Sequence, residues 1–136
     1  MTLIKNDEIS EILDRAKTIA VVGLSSSPMR PSYGVAAYMQ SNGYKITPVN
    51  PTINGALGEK AVPSLKEMPE KPDIVNIFRR PDAVAEIVDE AIALQVACIW
   101  MQEDVVNEAA AEKARRAGIT VIMDKCILKE HRKRHR

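Results

Sequence analysis

The sequence reads as α/β, with five parallel strands in one doubly wound sheet and helices on both faces, and two observations carry that expectation. Short β-branched apolar runs alternate with longer stretches of helical period along nearly the whole chain. The runs are almost continuously apolar, as strands covered on both faces are. The chain has 136 residues, 46% of them hydrophobic and 27% charged, with a formal net charge of +1. That balance fits an ordinary globular domain spanning residues 1–136 and gives no global reason to expect nucleic acid. No repeat at a solenoid period and no low-complexity linker divides it.

The elements follow in order. Asn6 or Asp7 can cap a first helix whose inward face is Ile9, Ile12, Leu13 and Ala16. The first strand is 18–23. Ser32 then caps a helix running to about Asn42, with Gly43 as its stop, and the second strand is 45–49. Residues 50–72 are proline-rich and form a crossing loop with a short helix near 64–68. The third strand is 73–78. Pro81 suits the first turn of the next helix, whose buried stripe is Val84, Ile87, Val88 and Ala91. The fourth strand is 97–101. Asn107 caps a helix with early Glu108 and late Arg115 and Arg116, ended by Gly118; the fifth strand, 120–123, and a short terminal helix complete the chain. Strand–helix alternation implies right-handed crossovers, hence a Rossmann-like domain whose ligand edge lies beyond the carboxyl ends of the strands.

What falls at those ends is therefore the candidate site. After the first strand comes Gly23-Leu24-Ser25-Ser26, then Arg30-Pro31-Ser32-Tyr33 at the mouth of a helix. A glycine turn, hydroxyls, backbone amides and a helix N-terminus suit phosphate; the alternative is a plain surface turn. Arg79 and Arg80 precede the helix opened by Pro81. Cations at helix N-termini oppose the macrodipole by roughly 0.3–1 kcal/mol each, which a bound polyanion would offset. Alternatively, each points to water or meets Asp82 or Glu86. Nicotinamide dinucleotide enzymes place an acidic residue about 20 residues beyond the glycine turn to hold ribose. Here the second strand ends in neutral Asn50 and Pro51. After the fourth strand, Trp100 is expected in the core, with Met101 and Gln102 forming a pocket wall.

Other chemistry is thinly represented. Cys98 and Cys126 lack CxxC spacing and suggest reduced thiols; Cys126 has Lys125 beside it but no histidine base. Both histidines, His131 and His135, lie in the terminal KEHRKRHR, which reads as a solvated charge run. No paired carboxylates stand ready for acid–base work, and no segment is long and apolar enough for a membrane span. A cytoplasmic address is expected.

The stretches GLSSSPMRPSYGVAAYMQSNGYKITPVNP, NIFRRPDAV and CIWMQ resemble the small stand-alone CoA-binding proteins, related to the N-terminal domain of the succinyl-CoA synthetase alpha subunit. RPSY, PVNP and FRRP at matching element ends are the specific pieces. The resemblance implies a Rossmann-type domain with coenzyme A or an acyl-CoA lying across the strand ends. Gly23 to Ser26 and Arg30 to Tyr33 would approach the phosphates, with Asn50 and Pro51 on the adjoining wall. Phe78, Arg79, Arg80 and Pro81 would line the adenosine side, and Trp100, Met101 and Gln102 the far side. The synthetase's phosphorylated histidine belongs to a further domain, so the expectation is a non-catalytic carrier, sensor or binding module. A small NAD(P)- or thiol-dependent enzyme, an accessory subunit of a CoA-using ligase, and an interaction protein docking by its basic tail remain as alternatives.

Overall fold

A computed structural model describes residues 4–135; Met1 to Leu3 and Arg136, the ends of the expected domain, lie outside it. Its main sheet is built from β1 (Thr18–Val22), β2 (Lys45–Val49), β5 (Ile74–Ile77), β6 (Cys98–Met101) and β7 (Thr120–Ile122), with β3 (Gly55–Ala56) and β4 (Glu59–Lys60) forming a separate antiparallel pair. All pairings in the main sheet are parallel, in the order β2-β1-β5-β6-β7. The chain leaves β1 to one side for β2 and crosses back to β5 on the other. The switch of winding direction thus falls between β1 and β5, where open α/β sheets place ligands.

Strand alternation sends successive side chains to opposite faces. Ala20, Val22, Val75, Ile77, Ile99 and Met101 pack on one side with α3 (Val84–Leu94) and α4 (Glu108–Arg116). Ile19, Val21, Ile46, Ile74, Trp100 and Ile122 pack on the other with α1 (Asn6–Arg15), α2 (Pro31–Ser41) and α5 (Ile127–Arg134). Asn107 caps α4 as its spacing predicts, accepting from Ala110 N at 3.0 Å. No helix among the described residues is long and apolar enough to cross a membrane.

Several local expectations are corrected. Helix α1 opens at Asn6 behind an extended Lys5, without a side-chain cap. Helix α2 opens at Pro31 behind Arg30, two residues earlier than a Ser32 cap would require, because proline's fixed φ and missing N–H suit the first helical position. Ser32 turns its hydroxyl back to the preceding loop instead. The basic tail is a solvated run only in part: Lys129, Arg132, Lys133 and His135 are exposed, but one side of it is packed. In α5, Glu130 and His131 are buried, and Arg134 reaches across to α1, donating to Ser10 Oγ at 2.6 Å and to the Asn6 carbonyl at 3.0 Å.

Candidate functional site

The loop after β1 folds on its own hydroxyls. Ser25 N donates to Ser32 Oγ at 3.0 Å, Ser27 N to Ser25 Oγ at 3.0 Å, and Met29 N to Ser27 Oγ at 3.3 Å. The serines therefore spend their lone pairs shaping the turn, as such short side chains do. Their hydroxyl hydrogens remain for a ligand. The amides of Leu24, Ser26 and Ser32 have no acceptor among the described residues. Gly23 sits at the switch point with φ +91°, and a Cβ there would come within 2.4 Å of the Phe78 carbonyl oxygen. Only glycine lets the β1 and β5 loops approach this closely.

Asn50 ties the second loop to the first. Its amide donates to the Leu24 carbonyl at 3.1 Å while its Oδ1 accepts from Thr52 N at 2.9 Å and Thr52 Oγ1 at 2.7 Å. Together these loops and those after β5 and β6 enclose an open cavity of about 500 Å³. Of the residues anticipated from the sequence, Gly23, Ser25, Arg30, Pro31, Ser32, Asn50, Phe78, Arg79 and Gln102 line it. Thr52, Ile53, Glu103 and Val105 also line it and were not anticipated; their nearness to PVNP and WMQ was the available signal.

The remaining anticipated residues stand elsewhere. Leu24, Trp100 and Met101 are fully buried, and Trp100 donates its indole N–H to the Lys125 carbonyl at 2.9 Å. Trp100 packs with α1, α2 and α5, Met101 with α3 and α4, so these two belong to the core on opposite faces. Ser26, Tyr33 and Pro81 do not line the cavity, and Pro51 faces a neighbouring groove shared with Arg79. Arg80 turns to Asp82, 3.5 Å away, with both side chains largely in solvent. The three arginines thus separate: Arg30 and Arg79 face the cavity, and neither forms an ion pair among the described residues.

At the floor is a buried carboxamide pair invisible to periodicity. Asn76 on β5 donates to the Trp100 carbonyl and to Gln102 Oε1, both at 3.2 Å, and the same Oε1 accepts from Ile127 N at 3.2 Å. Gln102 therefore joins β5, β6 and the start of α5 beneath the cavity. Neither thiol lines it. Burial pushes Cys98 up to about 12, so its thiolate is out of reach near neutrality, and Cys126 is buried just before α5. Among the described residues no group of three or more metal-ligating side chains converges.

The donor set fits a polyanionic nucleotide: two unpaired guanidinium groups, hydroxyls, free amides and the N-terminus of α2 converge where the sheet changes direction. Comparison with known proteins points the same way. The protein YneT of Bacillus subtilis is 50% identical over 124 residues, covering 91% of this chain and 92% of that one. Acetate–CoA ligase (ADP-forming) II of Archaeoglobus fulgidus is 32% identical over 76 residues, 54% of this chain but only 11% of the ligase. A solved structure of a hypothetical protein from Pyrococcus horikoshii OT3 superposes with a TM-score of 0.93 at 35% identity, covering 96% of this chain and 92% of that one. The CoA-binding domain family matches residues 17–132, nearly all of the chain, and the chain belongs to that family.

Proposed function

We propose that the protein binds coenzyme A or an acyl-CoA across the carboxyl edge of its sheet, as a single cytoplasmic domain that carries or senses the cofactor without transforming it. The observation that supports this most directly is the pair of unpaired arginines, Arg30 and Arg79, facing one cavity beside a helix N-terminus. Arg30, Ser25, Ser32 and the amides of the β1 loop take the diphosphate. Arg79 and Phe78 lie toward the adenosine, with Arg80 and Pro81 outside them. Asn50 and Pro51 shape the adjoining wall, and Gln102 closes the far side, backed by Trp100 and Met101. Among the described residues the lining includes no histidine and no cysteine, and its one carboxylate is Glu103. It is furnished for holding an anion rather than for proton transfer or nucleophilic attack.

Calorimetric titration with coenzyme A, dephospho-CoA and NAD at two salt concentrations tests this reading. Coenzyme A should bind most tightly and lose affinity as salt rises, because the contacts are ionic. Indifference to all three ligands would overturn it.

A further inference from the structure

A second open cavity of about 500 Å³ adjoins the first and shares Pro31, Phe78, Gln102 and Glu103 with it. Beyond that common wall its character changes. Val35 of α2 with Cys126 and Leu128 at the start of α5 give it an apolar lining. Its charges balance in number, Glu103 and Asp104 against Lys129 and Arg132, and Lys129 donates to both Glu103 oxygens at 3.0 Å. The first cavity is different, with Arg30 and Arg79 against the single carboxylate of Glu103.

This contrast orients an elongated ligand that is polyanionic at one end and neutral at the other. Resting on the coenzyme A reading above, we propose that the second cavity is an acyl chamber, receiving the thioester end of an aliphatic acyl-CoA and selecting its chain length through Val35 and Leu128. At about 500 Å³ the cavity falls within the size range of small-molecule sites, enough for the cysteamine end of the cofactor and a straight chain of about four to eight carbons. The Glu103–Lys129 pair spans the side between the β6 loop and α5, so the chain runs along α5 rather than out past β6.

The test is equilibrium binding of coenzyme A and its acetyl, butyryl, hexanoyl and dodecanoyl thioesters to the intact protein and to two variants on different helices, Val35→Ser and Leu128→Asn. Complete burial of one methylene corresponds to about a fourfold gain in affinity. The native protein should therefore gain about two- to fourfold per methylene up to hexanoyl, and far less per methylene from hexanoyl to dodecanoyl. Each variant should keep the affinity for unacylated coenzyme A within about twofold while losing most of the dependence on chain length. Coenzyme A binding with equal affinity for every thioester would overturn the chamber and leave the coenzyme A reading standing. A chain-length gain undiminished in both correctly folded variants would place the acyl group elsewhere and also overturn it. Failure of every ligand to bind would overturn both.

Discussion

Two arginine-rich regions of this small molecule use the same side chain in opposite ways. At the ligand edge, Arg30 and Arg79 sit at or before helix N-termini, face a cavity, and meet no carboxylate among the described residues. In α5, Arg134 stands in the last turn, where the macrodipole favours a cation. It is largely buried, 3.0 Å from Glu130 Oε1, and bonded to Asn6 and Ser10 of α1. The first placement opposes the macrodipole and has no carboxylate partner among the described residues. The second is complete within the chain. Arginine count would not separate them; the position of each relative to a helix end and a carboxylate does.

Substitutions can break or sharpen that contrast. The largest effect is expected from Arg30→Ala combined with Arg79→Ala. Each removes a charge-assisted contact worth about 1.5 kcal/mol or more, so coenzyme A affinity should fall about 100-fold while the melting temperature stays level or rises. Calorimetry and thermal unfolding on the same sample check both halves. Arg134→Ala should show the inverse. With Glu130 left buried and short of its strongest partner, stability should drop by about 2 kcal/mol, lowering Tm by about 5 °C, with coenzyme A affinity changed less than about twofold.

A smaller effect concerns pH. His131 is buried between Tyr38 and Tyr44, with Tyr38 Oη 2.9 Å from its Nδ1 and His135 stacked on it at 4.2 Å; Asp14 of α1 also faces the pair. Burial, reinforced by His135 and opposed by Asp14, holds its pKa below the ordinary 6.5. The unfolded chain then binds more protons than the folded one as pH falls through 6.5, so this contribution is full above that value and is lost below it. Chemical denaturation between pH 8 and 5 should show stability declining on the acid side, with a shallower slope in His131→Gln.

Much of this architecture was legible because it is written in apolar spacing. Each strand of the main sheet falls within a residue or two of its expected span, and Asn107 caps α4 as its position suggests. What escaped is held together by polar contacts. The tail KEHRKRHR looked solvated because period alone sees only charge, whereas its burial works through Glu130, Arg134 and a histidine set against two tyrosines. The β3–β4 pair has two residues per strand and turns at Leu57 and Gly58 with positive φ, too short for any alternating pattern inside a proline-rich stretch. At the site, the glycine turn, Arg30, Asn50 and the PVNP and FRRP ends were readable as element boundaries. The divergence of Arg79 from Arg80 was not, since adjacent residues share a sequence context and differ only in which way the backbone aims them.

The shared acceptor on Gln102 narrows what position 102 can tolerate. One oxygen serves the Asn76 amide and the first amide of α5, so methionine of similar shape would strand two donors at once, and glutamate would keep both bonds only by adding a sheltered negative charge beneath the cavity. A residue in the floor of the cavity thereby also fastens helix α5, and drift in sequence at this spot is checked from two directions.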